Sequence, residues 1–180
     1  MSKLILKRFQ CVTETDEVGA DSPYFLTFVG DITTGKTALK LTRQGNWHNE
    51  VDQGEIWQVN ATVADGFDFK PAKTLVLCAM VEEDEGLDIS SAEVEQMQAA
   101  LAQRLNQYRA TGANVIKPII TNGMAQMMRS LVLMSTITSA GANDDLVGVK
   151  ALTLNGNSGE QALVSLVGDG GHYRVRYGVA

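Results

Sequence analysis

A chain of 180 residues is long enough to bury a hydrophobic core without staples, and short enough to be one domain or one domain with an insert. Its composition is that of an ordinary globular protein, and a formal net charge of −6 argues against the basic face that non-specific nucleic-acid binding needs. The two cysteines, Cys11 and Cys78, each sit in an apolar run, the setting of a buried thiol, and nothing in their placement demands a disulfide.

The first residues, Met1-Ser2-Lys3-Leu4-Ile5-Leu6-Lys7-Arg8, hold too short an apolar core for a secretory signal. No stretch reaches the length of a spanning helix. The expected location is the cytoplasm, or release without a classical signal peptide. Residues 4–12 read as a strand, and residues 24–29 as a second with apolar side chains dense enough for a buried position. Residues 37–41 alternate weakly before the Gly45-Asn46 turn. Residues 56–63 alternate again, and residues 73–81 contain the run Leu75-Val76-Leu77-Cys78-Ala79-Met80-Val81, a buried strand.

The character changes at Ser90-Ser91-Ala92-Glu93, which has the serine cap and early acid of a helix N-terminus. Val94, Met97, Leu101, Leu105 and Tyr108 recur at helical spacing up to Thr111-Gly112. Pro118 interrupts the next stretch, and residues 124–134 form a second, methionine-rich helical candidate. Strand-like sequence returns at residues 146–154, 161–167 and 172–179. In the last of these Tyr173, Val175, Tyr177 and Val179 face one way and His172, Arg174 and Arg176 the other. Five strands, a helical pair and three strands, with turn signals between them, predict an antiparallel sandwich with the helices inserted in one loop.

Three acidic stretches fall at strand ends: residues 16–21, residues 82–88, and Asp144-Asp145. Carboxylates gathered in this way supply the converging oxygens that a hard cation such as calcium takes. The plain alternative is a set of solvated loops without metal. The first stretch, Asp16-x-x-Gly19-x-Asp21-Ser22-Pro23-Tyr24, resembles the first calcium loop of the C-two domain, the calcium- and lipid-binding sandwich of the protein kinase C and synaptotagmin type. That loop usually reads Asp-x-x-Gly-x-Ser-Asp-Pro-Tyr, so Asp21 and Ser22 are transposed. The region from Trp57 to Phe69 is loosely similar to the family's Trp-x-x-x-Phe-x-Phe strand. Val81-Glu82-Glu83-Asp84-Glu85 resembles the Val-x-Asp-x-Asp that opens the third loop, with glutamates at the ligand positions. Asn143-Asp144-Asp145-Leu146-Val147-Gly148 looks like the Asp-x-Ile-Gly that closes it.

The resemblance implies a mainly β fold: an eight-stranded antiparallel C-two-like β-sandwich of one domain, residues 1–180. The sandwich would comprise residues 1–89 and 139–180, with an α-helical hairpin, residues 90–138, inserted in the third loop. It implies calcium as cofactor, held by Asp16, Asp21, Glu83, Glu85 and Asp145. Ser22 is the alternative to Asp21, and Asp84, Asp88 and Asp144 are substitutes close at hand. It implies a phospholipid membrane or a protein as partner, reached once calcium has cancelled the crowded carboxylates. The insert would meet that partner through Met124, Met127, Met128 and Leu131. The alternative for the methionines is core packing where the insert docks on the sandwich.

Gly30-Asp31-Ile32-Thr33-Thr34-Gly35-Lys36-Thr37 fits the phosphate-loop pattern, in which backbone amides cradle phosphates, Lys36 neutralises charge and Thr37 holds magnesium. That motif needs a helix directly after Thr37. Ala38-Leu39-Lys40-Leu41-Thr42-Arg43 is too short for one, so the expectation is a hairpin turn. His48 and His172 are the only histidines, and no Gly-x-Ser-x-Gly elbow occurs. The leading expectation is a non-enzymatic, calcium-linked membrane- or partner-binding protein, such as a bacterial membrane-active toxin or effector. A structural protein assembling as a homo-oligomer and a P-loop nucleotide hydrolase are the alternatives.

Overall fold

The structure is a computed structural model that describes residues 2–14, 22–43, 51–82, 89–111, 117–139, 145–168 and 170–180. Among these residues the chain forms, in order, β1 (Ser2–Thr13), β2 (Pro23–Asp31), β3 (Thr37–Thr42), β4 (Ile56–Phe67), β5 (Thr74–Glu82), α1 (Ser91–Ala110), α2 (Lys117–Ser139), β6 (Asp145–Leu152), β7 (Gln161–Gly168) and β8 (Gly171–Val179). The strands make two four-stranded sheets, ordered β4-β1-β8-β7 and β3-β2-β5-β6, with antiparallel pairing throughout. The fold is therefore the expected mainly β, eight-stranded sandwich with a helical hairpin inserted between the fifth and sixth strands.

Alternation builds the first sheet. Tyr173, Val175, Tyr177 and Val179 of β8 and Leu4, Leu6, Phe9 and Cys11 of β1 turn inward, where they meet Phe25 and Val29 of β2 and Val76, Cys78 and Met80 of β5. The second sheet follows a different rule. The whole of β5 is buried, as is β2 up to Gly30, because both faces are covered. A continuous apolar run, without alternation, is what such a strand requires.

The second cover is the helical pair. Tyr24, Leu26, Phe28, Leu75, Leu77, Ala79 and Val81 form the outward face of the sheet. Met97, Leu101 and Leu105 of α1, with Ile120, Met124, Met128 and Val132 of α2, close over it. These positions recur at four-residue steps, which puts them on one face of each helix. The molecule thus has three layers around two cores.

This arrangement corrects the placement of the methionine stripe. Met124 and Met128 are buried against the sheet, while Met127 and Leu131 are half-buried beside them and Met127 also lines an outward groove between the helices. The cause is the apolar outer face of β2 and β5, which must be covered, and methionine suits the irregular gap between helix and sheet. The second helix also starts at Lys117, ahead of the expected residue 124. Pro118 falls in its first turn, where a missing N–H leaves no bond unmade. At the sandwich edge, a Cβ on Gly168 would run into the Val147 carbonyl, so glycine lets β6 and β7 approach across the two sheets.

The start of α1 is fixed by a capping box. The Ser90 N–H donates to Glu93 Oε2 at 2.8 Å, and the Glu93 N–H returns to Ser90 Oγ at 3.3 Å. Ser135 of α2 donates to Glu93 Oε1 at 2.9 Å, so one carboxylate caps α1 and ties the helices together. Burial pushes the Glu93 carboxyl up, but the hydrogen bonds from Ser90 and Ser135 outweigh it and hold the group below its ordinary value of 4.5.

Two outcomes are expected. Leu101→Ala, which opens a cavity beneath α1, should cost about 2–5 kcal/mol in urea unfolding. Glu93 binds its proton more weakly in the folded state than in the unfolded one. Its stabilisation is therefore full above pH 4.5 and is lost as pH falls through the folded value. Glu93→Gln should accordingly flatten the fall of melting temperature below that pH.

Candidate functional site

The register of the second sheet brings together the described residues that border or belong to the three acidic stretches. Pro23 of β2 pairs with Glu82 of β5, and Glu82 pairs with Asp145 of β6. Pro23, which follows the first stretch, Glu82, which opens the second, and Asp145, which closes the third, thus lie on three adjacent strands at the same end of the sheet. The Ser22 N–H donates to Glu82 Oε1 at 2.9 Å, which ties the first stem to the second. Glu82 is 3% exposed at this junction, and Asp145 is half-buried opposite it.

Of the expected ligands, Asp145 alone lies among the described residues, at the start of β6. Asp16, Asp21, Glu83 and Glu85 lie outside the described residues, as do Asp84, Asp88 and Asp144. No group of three or more metal-binding side chains occurs among the described residues. Carboxylate oxygens are the donors a hard cation takes, but the described residues supply only two such side chains here, Glu82 and Asp145. Two carboxylate residues stand directly opposite each other, an arrangement that disfavours the sheet unless charge is balanced. Sequence reasoning passed over Glu82 as a site residue. Its signal was an acid closing a run of seven apolar residues, Leu75 to Val81, where strand burial continues.

The phosphate-loop match is a β-hairpin. The Gly35 N–H donates to the Asp31 carbonyl at 2.8 Å, and the Asp31 N–H donates to the Lys36 carbonyl at 2.8 Å. Asp31 Oδ1 accepts the N–H groups of Thr33 and Thr34 at 2.7 and 2.9 Å. Burial pushes the Asp31 carboxyl up, but the bonds from Thr33 and Thr34 prevail and hold it below the usual carboxylate range. The amides that would cradle phosphate are thus given to a carboxylate and a carbonyl. Lys36 Nζ donates to the Asp65 and Gly66 carbonyls at 3.2 and 3.0 Å and sits 4.4 Å from the Phe67 ring centre. Arg109 of α1 donates to the Ile32 and Thr33 carbonyls at 3.0 and 2.7 Å. Strand β3 follows Thr37, in place of the helix the motif needs. The segment is a staple between sandwich and helix.

His172 Nε2 lies 2.6 Å from Ser165 Oγ on the outer face of the first sheet. Ser165 is mid-strand, and among the described residues no carboxylate holds His172, so a relay for nucleophilic attack is missing here. His48 lies outside the described residues. Cys11 and Cys78 are buried free thiols. Tyr177 donates to Cys78 Sγ at 3.0 Å and shares a 2.8 Å hydrogen bond with Thr27, a polar knot joining the two sheets. Burial pushes the Cys78 thiol up to about 12, against the smaller opposing effect of Tyr177.

The structure also assembles a group that sequence reasoning left apart. Arg8 of β1 stands opposite Arg176 of β8, and Arg174 stands opposite Gln10. The alternation of β8 had placed Arg174 and Arg176 on one face, but Arg8 joins them only through the pairing of the two ends of the chain.

No protein-family model matches the chain, and no curated protein matches it. Among the described residues no helix is long and apolar enough to cross a membrane.

A Cys78 thiol this deep and this weakly acidic should not react with a maleimide at neutral pH in the folded protein. Labelling monitored by mass spectrometry across a urea titration should rise only with global unfolding.

Proposed function

We propose that this chain is a non-enzymatic binding module of C-two-like character, whose loop end is switched by calcium. One observation carries the reading: the pairing of Pro23 with Glu82 and of Glu82 with Asp145, which gathers the stems of three acidic stretches at one end of one sheet. Asp145 and the loop residues Asp16, Asp21, Glu83 and Glu85 would hold the ion. Glu82, bonded to the Ser22 backbone, would keep the first loop against the second.

Calcium would supply the positive charge that cancels these carboxylates. The residues of the chain do the rest. The paired strand ends fix where the loops leave the sheet. The crowded acids repel anionic surfaces while uncompensated, and accept phosphate or carboxylate groups once balanced. The partner on this reading is a phospholipid membrane or an acidic protein surface, and a membrane-directed effector or toxin is the form such a module takes. On this reading the contact is made by the loop end, since Met124 and Met128 are packed on the sheet.

Calorimetric titration of calcium into the chelated full chain tests this directly. The wild type should give saturable heat, and calcium at a hundred times the dissociation constant should stabilise it by about 2.7 kcal/mol. Asp16→Asn/Asp145→Asn should lose both responses while melting cooperatively without calcium. No heat and no change in melting temperature for the wild type would sink the reading.

A further inference from the structure

The outer face of the sheet β4-β1-β8-β7 carries a concentration of positive charge that the loop end does not explain. Arg8 and Arg176 are direct cross-strand partners, and Arg174 is the next outward residue along β8. Like charges set directly opposite each other destabilise a sheet. Arg176 Nη1 donates to Gln161 Oε1 at 3.0 Å, and no carboxylate pairs with any of the three among the described residues. The cross-strand neighbours are neutral, with Gln58 across from Arg8, Ser165 across from Arg174 and Leu163 across from Arg176, while the Lys7 stem passes over Gly178 and adds a further cation. The chain as a whole is acidic, so this clustering runs against its average charge.

The arginines border a hollow of about 120 Å³, lined further by Gln10, Ile56 and Leu163. At ~30 Å³ per water in the liquid, that volume holds a group the size of a few waters. It is too small for a drug-sized ligand, whose pockets run from about 300 Å³. Planar guanidinium forks match a tetrahedral oxyanion with paired N–H bonds, and several around one hollow suit a doubly charged group better than a single carboxylate. Ile56 and Leu163, 49% and 59% exposed, come from the two edge strands and give the rim an apolar character on both sides.

We propose that this hollow is a binding site for the phosphoryl group of a phosphomonoester, carried by a soluble ester or by a lipid headgroup. Arg8, Arg174 and Arg176 clamp the oxygens. Gln10 offers a neutral donor, and the apolar rim receives the first atoms of the carrier. The site is independent of the loop end, since it lies on the other sheet and requires no cation.

The test uses the full chain in calcium-free, phosphate-free buffer, so that its failure leaves the calcium reading standing and the reverse holds as well. Glycerol 3-phosphate is titrated while backbone amide and arginine side-chain NMR signals are followed. Saturable shifts at residues 8, 174 and 176 are expected, weakened roughly tenfold in Arg174→Gln by loss of a charge-assisted contact. Arg8→Gln should weaken binding likewise, yet melt at a higher temperature than the wild type because it removes the repulsion with Arg176. That gain in stability separates lost binding from lost folding. A second arm sediments the protein with phosphatidylcholine vesicles with and without phosphatidic acid. Retention that needs phosphatidic acid and is lost in Arg174→Gln supports the site and makes the source a lipid. Saturation by glycerol 3-phosphate without retention supports it and makes the source soluble. Absence of binding in both arms, binding unchanged in both variants, or no rise in melting temperature for Arg8→Gln would overturn the proposal.

Discussion

Two strands that are apolar on both faces govern the architecture. β2 and β5 lie side by side at the centre of their sheet and present Phe25, Val29, Val76 and Met80 to one side and Leu26, Phe28, Leu75 and Leu77 to the other. Burying each such side chain contributes about 1.5–3 kcal/mol. Leaving one face open would forfeit several of these terms, comparable to the 5–15 kcal/mol of net stability typical of a domain. The opposite sheet covers one face. Only the helical pair can cover the other, so the insert is part of the core in its own right.

That seat for the helices has a consequence at the loop end. The chain leaves β5, crosses the outer face twice as α1 and α2, and returns as β6 beside the strand it left. The pairing of Glu82 with Asp145 therefore depends on a hairpin whose length and capping let it close over the sheet. Glu93 serves this twice, as the cap partner of Ser90 and as the acceptor from Ser135. Arg109 and the residue 30–37 hairpin secure the opposite end of α1. Between the sheets, the bond from Tyr177 to Cys78 and its link to Thr27 set a polar contact in an otherwise apolar core. A satisfied polar group there favours one stacking of the sheets over neighbouring ones, since a shifted stacking would strand its hydroxyls.

Strand order and type were legible because each strand carries its own signal: alternation in β8, a continuous run in β5, a serine and a glutamate at the start of α1. The layer that the helices occupy was not. An apolar run states that both faces are covered but does not say by what, and methionines at helical spacing suit a core as well as a surface. Pro118 misled for a similar reason, since proline breaks a helix interior yet is at home in its first turn. The candidate site divides in the same way. Acids at strand ends are visible locally, and Asp145 stands at the start of β6. The partnership of Glu82 with Asp145 spans the whole insert, and that of Arg8 with Arg176 spans nearly the whole chain. Neither is visible until the strands are paired.

The division of surfaces narrows where a partner can bind. The outward side of the helical pair has a groove of about 420 Å³, but glutamines 103, 107 and 126, Arg104 and Ser130 line much of it. Its exposed large apolar side chains among the described residues are those of Ile119 and the adjacent Leu133 and Met134, few enough for an ordinary surface. The helices thus turn their apolar faces to the sheet and a polar face to solvent. What is left is the end of one sheet where Glu82 and Asp145 pair, and an arginine-rich face on the other. Opposite charges held apart on a rigid sandwich cannot neutralise each other, and beyond about 8–10 Å in physiological salt they hardly interact at all. On the readings proposed above, a cation meets the acids and an anion meets the arginines.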